Sequence, residues 1–119
     1  MNILITEPND YSSIALGLYS SIGRFLPSPC SVNTIDDIIK NADVLVVRLG
    51  IKFDSELLKK GRNLKYIVTP TTGLNHIDLK FCTQNDIKLV SLKGEFDFLK
   101  TITPTAELTW GLLLSLVRN

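Results

Sequence analysis

The stretch DVLVVRL at 43–49 constrains the fold more than any other part of this chain. It is continuous, β-branched and apolar, with no alternation, so it suits a parallel strand covered on both faces. Shorter runs of the same kind occur at 2–6 (NILIT), 64–68 (LKYIV) and 88–92 (KLVSL). A further short strand is expected near Phe25 and Leu26, beside Pro27 and Pro29. Between these runs lie helical signals. Residues 14–22 read as a helix, and Ile35, Ile38 and Ile39 fall at helical spacing behind Asn33 and Thr34, with Asp36 and Asp37 in the first turn, where they suit the helix dipole. Asp54 can cap a helix running to Lys60 and ended by Gly61, and 78–84 reads as the next helix. The alternation predicts an α/β fold: a doubly wound parallel sheet of about five strands, helices on both faces, and right-handed crossovers.

Composition narrows the function. A chain of 119 residues with 45% hydrophobic content is one domain's worth of core. Thirteen basic against twelve acidic residues give no electrostatic reason to expect nucleic acid or an anionic membrane as partner. Cys30 and Cys82 fit neither a zinc spacing nor a disulfide framework, so both are expected reduced, with Cys82 in the core and no metal site. The N-terminus enters a strand directly, without a signal-type segment, and the most apolar stretch, 108–117, is too short to span a bilayer. A soluble cytoplasmic protein is the default expectation.

After Leu92 the pattern changes. KGEFDFLKTITPT shows no regular periodicity, and AELTWGLLLSLV at 106–117 then reads as a helix, with Thr103 as N-cap, Pro104 at the first position and Glu107 in the first turn. Its apolar residues point nearly all around, whereas a surface helix of a finished domain shows one stripe. This helix is therefore expected to lead into a second domain, making the sequence a piece of a longer protein. The alternative is a terminal helix buried in a dimer interface.

In an open α/β sheet, ligands bind outside the carboxyl ends of the strands. Those ends carry Glu7-Pro8, Arg48-Leu49-Gly50, the TPTTG turn at 69–73, and Lys93-Gly94-Glu95. Arg48 ends the most apolar strand, where its guanidinium needs solvent, an ion pair with an acid such as Glu7 or Glu95, or an anionic ligand. Gly73, between a strand and a helix, lets backbone N–H groups approach an anion closely. His76, the single histidine, reads as the opening of the following helix rather than as a catalytic base. Arg48 holds the place where a phospho-receiver domain needs an aspartate. The loop after the first strand, EPNDYSS, lacks the glycine of an FMN phosphate loop, and no two glycines are two apart, so a G-x-G-x-x-G dinucleotide fingerprint is absent. No catalytic acid–base pair emerges.

Several pieces together resemble a known family: ADVLVVRLG at 42–50, LLKKGRNLKYI at 57–67, TTGLNHIDL at 71–79, DIKLVSLKGE at 86–95 and TPTAELTWGLLLSLVRN at 103–119. In this order and spacing they are similar to the N-terminal part of the D-isomer-specific 2-hydroxyacid dehydrogenases. The resemblance implies a flavodoxin-like substrate-binding domain over 1–102 and an interdomain helix over 103–119. A Rossmann domain that binds NAD or NADP would follow outside this chain, and no cofactor is expected on this part alone. The family's catalytic arginine, glutamate and histidine would lie outside the chain too, and His76 is not the family histidine. The resemblance places Arg48, Leu49 and Gly50 in the turn that borders the substrate. It assigns the backbone N–H groups of Thr72, Gly73 and Leu74 to the substrate carboxylate and sets Thr105 beside the nicotinamide. Thr101 stands where several members have asparagine. The implied partner is a small 2-hydroxy or 2-oxo acid, and the full-length protein is expected to be a homodimer. The residues alone also leave open a free-standing small-anion-binding module or a protein-interaction domain.

Overall fold

Five parallel strands carry the architecture of the computed structural model, which describes residues 1–27 and 33–118. They are β1 (Asn2–Ile5), β2 (Arg24–Phe25), β3 (Val44–Val46), β4 (Tyr66–Thr69) and β5 (Lys88–Ser91). Their order is β2-β1-β3-β4-β5, the flavodoxin-like arrangement, with Ile3 opposite Val44 and Leu45 opposite Ile67. Around the sheet lie α1 (Ser13–Ile22), α2 (Ile35–Ile38), α3 (Ser55–Leu58) and α4 (Leu79–Gln84), followed by α5 (Phe96–Leu99) and α6 (Pro104–Val117). Pro29 and Cys30 lie outside the described residues.

The strand order explains the two layers. The crossover through α1 steps from β1 to β2, and the later crossovers travel the other way across the sheet. A constant right-handed crossover then puts α1 on one face and α2, α3 and α4 on the other. The core divides accordingly. Leu4, Leu45, Val47 and Ile67 face a cluster with Ile35, Ile39, Leu57, Leu58 and Cys82. Ile3, Ile5, Val44 and Val46 face the other side, where Leu16 and Tyr19 of α1 pack. Successive residues of β3 thus enter opposite layers, which is why its sequence does not alternate.

Local chemistry sets the ends of the elements. The Asp54 carboxylate accepts from the Leu57 N–H at 3.0 Å, as the sequence predicts. The helix it caps is shorter than expected: Lys60 and Gly61 donate to the carbonyls of Leu57 and Leu58, tightening the chain beyond Leu58 into i→i+3 bonds. Asp78 caps α4 through the Phe81 N–H at 2.9 Å. His76 therefore does not open that helix. Its carbonyl accepts from the Phe53 N–H at 2.7 Å, beside an isolated parallel bridge between Phe53 and Ile77.

Two more expectations need correcting past β5. The aperiodic stretch contains the short helix α5. Thr103 occupies the N-cap position of α6, but its hydroxyl donates to the Glu107 carboxylate at 2.6 Å and accepts from no backbone N–H of the first turn. The all-round apolar character of α6 is matched by exposure on all sides: Trp110 is 64% exposed, Leu113 49% and Leu116 77%. No helix among the described residues is long and apolar enough to cross a membrane.

Candidate functional site

The strand order reverses direction between β1 and β3, and a doubly wound sheet opens its binding crevice at the carboxyl ends beside such a reversal. Glu7 follows β1 there, and Arg48, Leu49 and Gly50 follow β3. Past Val47, whose N–H still donates to the Val68 carbonyl at 2.9 Å, the next donor in line turns to a side chain. The Arg48 N–H donates to Glu7 Oε2 at 3.1 Å, and the Thr6 hydroxyl reaches the same oxygen at 3.4 Å. Gly50 makes room for this carboxylate, since a Cβ there would stand 2.6 Å from Glu7 Oε1. The glycine thus lets the carboxylate sit against the turn without moving aside.

The Arg48 guanidinium pairs with neither Glu7 nor Glu95. Its Nη1 lies 2.9 Å from Asp10 Oδ2, and both side chains are about half exposed. Glu7 instead acts on the backbone of residue 48. Tyr11 packs into the same corner, edge-on to Tyr19 with ring centroids 6.2 Å apart. Its hydroxyl is buried without a partner among the described residues. Burial first, then Tyr19, pushes the phenol up to about 12, with Arg48 pulling the other way.

The second part of the edge follows β4. Thr69 is buried, and its hydroxyl bonds that of Thr71 at 2.9 Å. The Thr71 hydroxyl donates in turn to the Gly73 carbonyl at 2.8 Å, so Thr69 is the donor within the threonine pair. This chain of hydroxyls fixes the loop through its carbonyl side. The N–H groups of Thr72, Gly73 and Leu74 donate to none of the described residues. Thr72 and Gly73 are exposed, nothing stands within 4 Å of where a Gly73 Cβ would be, and the buried Leu74 side chain anchors the loop from below. Three unspent donors on a tethered loop at a strand's carboxyl end suit a carboxylate or another small anion.

His76 lies close enough for the charge of Glu7 to act on it. Burial lowers its pKa, Glu7 works in the opposite direction, and its Nε2 is enclosed without a partner among the described residues. Thr101 and Thr105 are exposed and stand apart in bonding. The Thr101 hydroxyl closes the end of α5 on the Phe98 carbonyl at 2.7 Å, and the Thr105 carbonyl accepts from Thr109 within α6 at 2.8 Å. Neither is hydrogen-bonded to the turn at 48–50 or the loop at 72–74. A surface cleft of about 590 Å³ lies against α3 and α4, lined by Ser55, Lys59, Asp78 and Lys80 among others, and takes in none of these groups. No group of three or more His, Cys, Asp or Glu able to hold a metal occurs among the described residues.

Asp10 and Tyr11 were not singled out from sequence. The acidic EPND after the first strand was the available signal, because charged groups at a switch point have a reason to be there.

Fold and edge together define a class: a flavodoxin-like α/β domain whose polar chemistry gathers at the reversal of strand order. The catalytic-domain model of the D-isomer specific 2-hydroxyacid dehydrogenases matches residues 4–97, and the chain belongs to that family. It is 30% identical over 120 residues to a D-3-phosphoglycerate dehydrogenase of Methanocaldococcus jannaschii, covering 100% of this chain and 22% of the relative. It is 34% identical over 82 residues to a hydroxypyruvate reductase of Thermotoga maritima, covering 69% of this chain and 25% of that one. Among solved structures, the D-lactate dehydrogenase from Aquifex aeolicus complexed with NAD and lactic acid shares the fold at a TM-score of 0.75 and 23% identity, covering 98% of this chain and 34% of that protein. The TT0316 protein from Thermus thermophilus does so at 0.79 and 22%, covering 97% and 36%. The chain thus spans a quarter or less of the length of these two curated relatives, 22% and 25%.

Proposed function

We propose that this chain is the substrate-binding part of an NAD- or NADP-dependent oxidoreductase acting on a small D-2-hydroxy or 2-oxo acid. The observation that carries the reading is the loop after β4, with unspent N–H groups at Thr72, Gly73 and Leu74. These donors hold the substrate carboxylate, and the turn Arg48-Leu49-Gly50 borders the rest of the acid. Residues 1–102 form the binding domain, and 103–119 supply the helix that joins it to a dinucleotide domain, which explains an α6 exposed on every side. Bound nicotinamide would supply hydride exchange at the substrate's C2; on this chain Thr105 would stand beside it and Thr101 near the substrate. The catalytic arginine, glutamate and histidine come from outside this chain, so the 119 residues alone do not turn over substrate. The intact protein is a cytoplasmic homodimer with no nucleic-acid or membrane partner.

The reading frame beyond Asn119 tests this. It should encode a strand and G-x-G-x-x-G within a few tens of residues. A stop codon there would favour a free-standing anion-binding or interaction module instead.

A further inference from the structure

Resting on that reading, the geometry points to Asp10 as a specificity-determining residue that leaves the binding edge suited to a singly charged acid and unfavourable to one carrying a second anionic group. Charge at the reversal of strand order is scarce on the positive side. Arg48 is the cation that chain topology places there, and its Nη1 is already 2.9 Å from Asp10 Oδ2. Glu7 adds another carboxylate, held by the Arg48 N–H at 3.1 Å and seated where Gly50 has no Cβ. Among the described residues at this corner, two acids against one base leave it net negative. His76 does not offset it, because burial favours its neutral form. Lys52, further along the loop after β3, lines a different cleft, together with Asp36, Asp54, Glu56 and Lys60. The loop at 72–74 offers neutral dipoles, enough for one carboxylate. A phosphate or second carboxylate reaching toward β1 and β3 meets Glu7 and must share Arg48 with Asp10, whose carboxylate already offsets its charge.

D-glycerate and 3-phospho-D-glycerate differ only in the phosphate and supply the test. The ¹⁵N-labelled chain is titrated with each, following the amides of Thr72, Gly73 and Leu74. Wild type should bind D-glycerate at least threefold tighter. In Asp10→Asn the ratio should move about two- to fivefold toward the phosphoester, the range of exposed ion pairs, and the movement should shrink in high salt. Tighter or equal binding of the phosphoester by wild type overturns the inference and leaves the carboxylate loop standing; that comparison needs no variant. An unchanged ratio in Asp10→Asn also overturns it. If neither acid moves those amides at tens of millimolar, the carboxylate-loop reading falls and the inference with it.

Discussion

Gly50→Ala should destabilise the chain even though residue 50 is exposed, because Glu7 occupies the space. An alanine Cβ would meet Glu7 Oε1 at 2.6 Å and Cδ at 3.2 Å, and the atoms it meets all belong to the Glu7 side chain. The carboxylate is the end of a flexible side chain and yields by swinging away. In doing so it gives up the Arg48 N–H at 3.1 Å, a charge-assisted bond worth about 1.5–3 kcal/mol. Against this, alanine restricts the unfolded chain, a gain of about 0.4–1 kcal/mol. The net expectation is a loss of about 1–2 kcal/mol, or roughly 4–8 °C in Tm for a domain of this size. Urea or thermal unfolding followed by circular dichroism measures it, and a double-mutant cycle with Glu7→Ala isolates the cause. In the Glu7→Ala background the same Gly50→Ala change has nothing to displace and should be neutral or stabilising. An equal cost in both backgrounds would refute the reasoning, as would a stabilised single variant.

Other substitutions probe the core and the titrating groups. Leu45→Ala removes a fully buried side chain from the layer of Ile35, Leu58 and Ile67, and should cost about 2–5 kcal/mol by urea unfolding. Tyr11→Phe deletes a buried hydroxyl that has no partner among the described residues, so stability should be unchanged or raised; a loss above about 1 kcal/mol would mean that the hydroxyl is bonded. His76 has its pKa lowered in the fold, so as pH falls below its ordinary 6.5 the unfolded chain takes up the proton first. The stability it contributes is full above 6.5 and is lost toward its lower folded pKa. Thermal midpoints between about pH 7.5 and 5 should therefore fall less steeply in His76→Gln than in wild type, and parallel curves would contradict the assignment.

Much of the fold was legible because both-sided burial writes itself into sequence. The unbroken run of β3 requires two covering layers, and Asp54 announces the helix it caps. The edge was legible in part. Gly73 and Arg48 stand out at strand ends, but the partner of Arg48 is Asp10, on a short 3₁₀ turn (Pro8–Asp10) whose direction no periodicity encodes. The role of Gly50 depends on a carboxylate more than forty positions away, 41 between Glu7 and Arg48, a contact that only the parallel register of β1 and β3 creates. Phe53, fully buried, sits in a loop without pattern and is fixed by the His76 carbonyl. His76 misled as a helix start because the residue that satisfies the helix is Asp78, two positions on. The short α5 escaped because four residues give too little periodicity to register.

The central claim is that this chain holds the acid and leaves the dinucleotide to another part of the protein. A paired titration of the ¹⁵N-labelled chain tests it most directly, with a small 2-oxo acid such as glyoxylate in one series and NADH in the other. The account predicts saturable shifts of the Thr72, Gly73 and Leu74 amides with the acid and no sub-millimolar binding of NADH. Tight NADH binding, or acid-induced shifts that bypass this loop, would contradict it.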